Sequence, residues 1–268
     1  MTDLLQAALL GIIEGLTEFL PISSTGHLLI AEHWLGARSE LFNVAIQAGA
    51  ILASLLVFWP RLQKMLLGMN ERANRDYLAK LAFAFAITAI GGLIAKKAGL
   101  ELPQTVAPVA GALILGGVLM LLIESLVAGR AAVTEVTWRV AFWVGSCQIL
   151  AAVFPGTSRS AATIFAAMLA GLTSRPAATE FAFLVGIPTM FAATGYEFLK
   201  LHQGAALAAP TASAAPEDWP AFIVAFVVSA VVAFIAVKWL LRYVQTHRFT
   251  AFAWYRIAAG AALLALVR

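Results

Sequence analysis

Leu20-Pro21-Ile22-Ser23-Ser24-Thr25-Gly26-His27 interrupts an apolar run that extends from about Leu4 to Leu35. Pro155-Gly156-Thr157-Ser158-Arg159-Ser160 interrupts a second, from about Val140 to Leu172. As one continuous helix either run would be about 48 Å long at 1.5 Å per residue, too long to cross a bilayer once without strong tilt. Proline removes a backbone donor and clashes with the preceding turn, so a helix is expected to end at each break. A polar break at membrane depth is tolerated only where it is buried in protein or lines a cavity. Both runs therefore read as re-entrant helical hairpins with tips near mid-membrane. A kinked single span is the alternative, and the length and polarity of the breaks count against it.

Outward from the breaks lie six further apolar segments, roughly 41–59, 81–99, 106–127, 178–200, 220–241 and 250–267. Each approaches the ~20 residues needed to cross ~30 Å of hydrocarbon. The chain of 268 residues is 62% hydrophobic and only 12% charged, with a mean hydropathy of +0.89. Soluble domains are about half apolar and about a quarter charged, so a soluble enzyme, a disordered chain and a nucleic-acid-binding domain all fit poorly. The expected fold class is all-α: a polytopic integral membrane protein with six transmembrane helices plus two re-entrant hairpins. The net charge of +4 points to no nucleic acid, because the basic residues lie in short gaps between apolar runs, where they orient spans. The lone Cys147 has no internal disulfide partner. The start, Met1-Thr2-Asp3-Leu4, lacks the basic region of a secretory signal, so the first apolar segment is expected to be retained.

The breaks resemble each other. Leu20-Pro21-Ile22-Ser23-Ser24 aligns with Phe154-Pro155-Gly156-Thr157-Ser158, Gly11 falls on Gly145, and Glu14 falls on Gln148. The offset of 134 is half of 268. A single membrane domain, 1–268, built from repeat halves of about 1–134 and 135–268, follows from this. Three spans per half is an odd number, so the halves must be inverted, a plan that sets a site at their interface. Arg61, Lys64, Arg72, Arg75, Lys80, Arg130, Arg139, Arg175, Lys238, Arg242 and Arg248 fall on one side, against Arg38, Lys96, Lys97, Lys200 and Arg268 on the other. The richer side is taken as cytoplasmic. Both termini then lie outside, the first hairpin enters from the outer face and the second from the cytoplasm. The stretch from Gly204 to Pro220 becomes an external connector.

Ionisable groups inside a membrane are functional hypotheses by default. The hairpins contain Glu14, Glu18, His27 and Arg159. Glu14 and Glu18 share a helix face at i, i+4, and two carboxylates so placed call for a cation, a shared proton or a basic partner. A solvated helix face is the plainer reading, disfavoured by Leu16, Phe19 and Leu20 around them. Mg²⁺ or Ca²⁺ suits such oxygens, completed by substrate phosphate. Ser23, Ser24, Thr25 and Gly26 form a hydroxyl-rich loop at the start of a second half-helix, where backbone N–H groups favour anions. Ordinary capping by Ser24 or Thr25 is compatible with that. His27 follows three residues after Ser24, within reach of its hydroxyl. His33, His202 and His247 look peripheral. In the second break Arg159 suits a bidentate phosphate clamp or, more plainly, an internal salt bridge. Gly156, Thr157, Ser158, Ser160 and Thr163 add hydroxyls and a flexible turn, and Gln148 keeps hydrogen bonding where Glu14 has an acid.

Glu14-Gly15-Leu16-Thr17-Glu18-Phe19-Leu20-Pro21, followed by Ser23-Ser24-Thr25-Gly26-His27, resembles the first signature of the undecaprenyl-diphosphate phosphatases, the bacterial bacitracin-resistance proteins. Pro155-Gly156-Thr157-Ser158-Arg159-Ser160-Ala161-Ala162-Thr163 resembles their second. The resemblance covers essentially the whole chain. It implies hydrolysis of undecaprenyl diphosphate to undecaprenyl phosphate and inorganic phosphate, recycling the lipid carrier of peptidoglycan synthesis. It also implies a site on the outer face of the bacterial inner membrane and a divalent cation. Carried over, the family's glutamates are Glu14 and Glu18, its hydroxyl pair Ser23 and Ser24, its histidine His27 and its arginine Arg159.

Two chemistries stay open at this point. Either Ser24 attacks the terminal phosphorus with His27 assisting proton transfer, or water attacks directly while Ser24 binds. The rival function is a transporter or flippase of polyprenyl phosphate, for which an inverted repeat is equally suited. The oligomeric state is also open: Gly111, Gly116 and Gly117 suit close packing between chains, as in a homodimer, or within one.

Overall fold

The computed structural model describes residues 3–36, 38–100, 105–207 and 219–266, and their side chains except at 201–207 and 266. The connector at 208–218, Arg268 and the side chain of His202 lie outside what the structure describes. Among the described residues all regular structure is helical: α1 Asp3–Thr17, α2 Ser24–Leu35, α3 Glu40–Leu67, α4 Arg72–Lys97, α5 Val106–Val127, α6 Trp138–Val153, α7 Arg159–Leu169, α8 Arg175–Leu207, α9 Trp219–Thr246 and α10 Thr250–Leu266.

Five of these helices, α3, α4, α5, α8 and α9, are long and apolar enough to cross a membrane. The sixth expected span is α10, apolar but only 17 residues long. Both long apolar runs are broken at their polar stretches, giving α1 and α2 from the first and α6 and α7 from the second. Proline alone does not explain the breaks, since Pro60 and Pro188 sit inside α3 and α8. What differs at Pro21 and Pro155 is a hydroxyl residue a few positions on that caps a new helix.

Each broken pair returns to the end where it began. Arg38, just past α2, bonds Asp3 at the start of α1 at 2.6 Å and Gln6 at 3.0 Å. At the base of the other pair, Ser174 N donates to Val133 O at 3.0 Å and Val133 N donates to Thr173 Oγ1 at 2.8 Å. The long helices alternate in direction: Arg61 pairs with Glu180 at one end of α8, and Lys96 with Glu197 near the other.

Small residues let the helices approach. A Cβ on Gly11 would stand 2.5 Å from the carbonyl oxygen of Ala225, so α1 lies directly on the backbone of α9. Gly145 meets Ala84 O at the same distance, so α6 lies likewise on α4. Such contacts replace the hydrophobic drive that lipid cannot supply. Gly116 and Gly117 are used within the chain, against Arg256 and Ala253 of α10, while Gly111 faces open space. Phe19, two residues past the end of α1, packs edge-on against Phe183 with ring centroids 5.6 Å apart. This contact anchors the break to α8.

Candidate active site

The site is made where the breaks meet. Beyond α1 the helical bonding continues for one residue, with Glu18 N donating to Glu14 O at 2.9 Å. Glu18 thus stays on the Glu14 face of the helix. The chain then turns, and Ser23 caps α2 with φ +74°, its hydroxyl accepting from Gly26 N at 3.4 Å. In the other break Ser158 caps α7 with φ +66°, accepting from Ala161 N at 3.3 Å. Among the described residues these two serines are the non-glycine positions with positive φ. Such a conformation costs about 1–3 kcal/mol and persists only where the surroundings over-determine it. The expected cap was Ser24 or Thr25; the structure uses Ser23, which leaves the Ser24 hydroxyl for another partner. By cap geometry the counterpart of Ser158 is Ser23, one residue away from the match made by aligning the sequences.

The residues after the two caps reach one carboxylate. Ser24 Oγ donates to Glu18 Oε2 at 2.6 Å, and Arg159 Nη2 donates to Glu18 Oε1 at 3.3 Å. Arg159 lies over Gly186 of α8, where a Cβ would overlap its guanidinium. Ser23, Ser24, Thr25, Ser158, Arg159 and Glu18 line a cavity of about 220 Å³. Gln47, Thr88, Gln148, Thr189 and Thr194 give it further neutral polar groups. Helices α2 and α7 both begin at this cavity, so their unsatisfied N–H groups add positive potential beside Arg159. With a water's share of liquid volume near 30 Å³, the space suits a diphosphate head and excludes a polyprenyl chain.

The remaining expected residues are distributed differently. Glu14 is buried, and its Oε2 has no hydrogen-bond partner. His27 turns away from Ser24: Nδ1 bonds Ser23 O at 2.6 Å and Nε2 bonds the Tyr255 hydroxyl at 2.6 Å, with the two rings stacked. Gly26 and Gly156 are closely packed, and Gly156 also lines the cavity. A Cβ on Gly26 would press Leu113, and Gly156 (φ +88°) would drive one to 2.7 Å from Val109 O. Ser160 donates to Leu20 O at 3.1 Å, joining the breaks, and Thr163 bonds back to Arg159 O at 2.9 Å. Both are fully buried. Thr157 contributes its backbone, accepting from Arg256.

Arg256 is the residue that sequence reasoning missed. It is fully buried. Its guanidinium donates to Pro21 O at 3.3 Å and to Gly156 O and Thr157 O at 3.1 Å each, with Leu113 O and Ala112 O as further acceptors. One side chain from α10 therefore ties both breaks together. The signal was present: a lone cation inside an apolar helix is costly and seldom idle.

Glu14 and Glu18 fit a divalent cation in donor type, and the buried Glu14 Oε2 has no hydrogen-bond partner. Among the described residues there is no cluster of three or more His, Cys, Asp or Glu. A cation here would rely on these two carboxylates, phosphate oxygens and water, which is how Mg²⁺ is commonly held.

Fold and site define a polytopic helical membrane protein with a polar centre bearing hydroxyls, a carboxylate and an arginine at the junction of two broken helices. The model of the bacitracin resistance protein BacA family matches residues 7–262. The chain belongs to that family. Among its relatives, proteins named undecaprenyl-diphosphatase from Rhizobium etli and Stenotrophomonas maltophilia are each 60% identical over 264 residues. One from Xanthomonas euvesicatoria is 56% identical over the same length. In each case the match covers 98% of this chain and 97% of the relative.

Proposed function

We infer that this chain is a membrane phosphatase that hydrolyses undecaprenyl diphosphate to undecaprenyl phosphate and inorganic phosphate, recycling the lipid carrier of peptidoglycan synthesis. Near-full-length relatives at 60% identity support the activity. The observation that carries the chemistry is the hydroxyl of Ser24 donating to Glu18 Oε2 at 2.6 Å beside Arg159. A hydroxyl is a weak nucleophile until a base takes its proton, and the carboxylate is already at proton-transfer distance.

The reaction runs in two displacements. Ser24 Oγ forms a bond to the terminal phosphorus as its proton passes to Glu18. The anhydride P–O bond breaks, and its electron pair leaves on the lipid phosphate. Arg159 and the N-termini of α2 and α7 take up the negative charge of the phosphoryl oxygens, the main demand of such a transfer. Glu18 passes the proton taken from Ser24 to the departing lipid phosphate and is a carboxylate again. It then takes a proton from water, whose oxygen bonds to the phosphoserine phosphorus as the Ser24 Oγ–P bond breaks. The proton returns from Glu18 to Ser24 Oγ as inorganic phosphate leaves. A divalent cation held by Glu14 and Glu18 would supply further charge neutralisation. His27 positions the turn through Ser23 O and is not the proton acceptor for Ser24 in this reading.

The finer layout belongs to the same reading. The α1–α2 and α6–α7 pairs are re-entrant hairpins of an inverted repeat, 1–134 and 135–268, in the bacterial inner membrane. The site faces the outer side and both termini lie outside. Support comes from the bias of basic residues, from the Asp3–Arg38 closure of the first hairpin, and from the matching caps at Ser23 and Ser158.

The test is phosphate release by the purified protein in detergent from undecaprenyl diphosphate, beside Arg159→Ala. Release that depends on Arg159 is expected. Binding of the lipid without release would overturn the phosphatase reading in favour of a carrier.

A further inference from the structure

The polar cavity is too small for a prenyl chain, so the tail must leave it by a defined route. Two apolar grooves lie near. One runs between α3, α8 and α9 and is lined by Val44, Ala48, Phe191, Gly195, Phe198 and Phe226 among others. Its single polar lining residue is Thr194, which also lines the polar cavity. Thr194 Oγ1 donates to Gln47 Oε1 at 3.4 Å, bridging α8 and α3 at the threshold between the two spaces. The other groove lies between α2 and α10, lined by Ile30, Trp34, Ala258 and Ala262. It shares no lining residue with the polar cavity.

We propose that the groove between α3, α8 and α9 holds the prenyl tail of the substrate, with Gln47 and Thr194 at the point where the chain passes from head pocket to lipid. The proposal rests on the phosphatase reading. Continuity through Thr194 is what selects this groove over its rival. From Leu41 to Ile51 it follows α3 for about 15 Å, roughly half of a ~30 Å hydrocarbon layer, so it accompanies the chain through one leaflet. Its mouth is open: Phe191 and Phe198 are 45% and 54% exposed. No charged side chain lines it. Burying the methylenes of the tail is favourable relative to water. Against lipid the gain is smaller and comes from shape, which the phenylalanines supply.

Gly195 gives the test. A Cβ there meets no atom within 4 Å, so added bulk enters the groove and not the core. Gly195→Phe is expected to lower the ratio of kcat/KM for undecaprenyl diphosphate over isopentenyl diphosphate about tenfold, equivalent to about 1.4 kcal/mol. Ala262→Phe, in the rival groove, is expected to leave that ratio unchanged. A second measurement is independent of turnover: a polyprenyl diphosphate carrying a photoreactive tail should label peptides of α3, α8 or α9. An unchanged ratio in Gly195→Phe, or tail label on α2 and α10, overturns the proposal while the phosphatase reading stands. Absence of phosphate release from wild-type protein fails that reading instead, and the label still reports which groove holds the tail.

Discussion

The Ser24 hydroxyl and Glu18 stand 2.6 Å apart across the first break, and the other oxygen of the same carboxylate accepts from Arg159 of the second. One carboxylate is thus shared by the opening residues of α2 and α7. A base that is itself held by a second partner keeps its aim, and an incoming phosphate can draw Arg159 without moving Ser24. Removing the acid should therefore hurt twice. Glu18→Gln is expected to reduce kcat at least about 100-fold, the lower range for a lost general base. Steady-state phosphate release checks this, and a variant within a factor of about three of wild type would remove Glu18 from the proton path.

Gly186 should matter although it touches no phosphate. A Cβ there overlaps the Arg159 guanidinium, so Gly186→Ala must shift the arginine. Weaker head-group binding is expected, seen as a rise in KM of about tenfold, the worth of about 1.4 kcal/mol. Gly92, where a Cβ meets nothing within 4 Å, makes a control: Gly92→Ala should leave KM unchanged.

Arg256 should behave as a positioning residue. It holds the carbonyls of both breaks while fully buried. Arg256→Met leaves those carbonyls unpartnered, at a cost of about 1–3 kcal/mol for each buried group so orphaned. Lower thermal stability and loss of turnover should appear together. Arg256→Lys keeps the charge but not the fork, so partial recovery of both is expected. Normal melting of Arg256→Met with full activity would show that the breaks hold themselves.

Metal dependence should map to Glu14. Its unpartnered buried oxygen is expected to serve a divalent cation with Glu18. Chelator should stop phosphate release, and Glu14→Gln should raise the Mg²⁺ concentration needed for half-maximal rate. Full activity in chelator would assign the charge neutralisation to Arg159 and the helix termini alone.

The helical class, the two broken runs and the candidates Glu18, Ser24 and Arg159, which the structure brings together, were legible because they rest on local signals: hydropathy, proline, hydroxyl clusters and isolated charge. Contacts between distant segments were not. Nothing in the spacing of His27 tells that it would face Tyr255 of α10 instead of Ser24, because that choice depends on how α2 and α10 pack. Gly156 reads as a flexible phosphate loop and does line the cavity, but its φ and its closeness to Val109 give it a packing role that spacing does not show. Thr163 looks like one more hydroxyl for the site, but one helical turn past Arg159 its hydroxyl returns to the helix backbone. Arg256 was readable as a lone cation in an apolar helix; its partners, all backbone carbonyls, leave no motif.

The central claim is that Ser24, aimed by Glu18, attacks the terminal phosphorus. The most direct measurement pairs turnover and binding of undecaprenyl diphosphate by Ser24→Ala. The account predicts that the lipid still binds within a factor of about three while phosphate release falls by at least about 1,000-fold, as expected when a covalent nucleophile is removed. Release retained above about a tenth of the wild-type rate would contradict it and assign the attack to water.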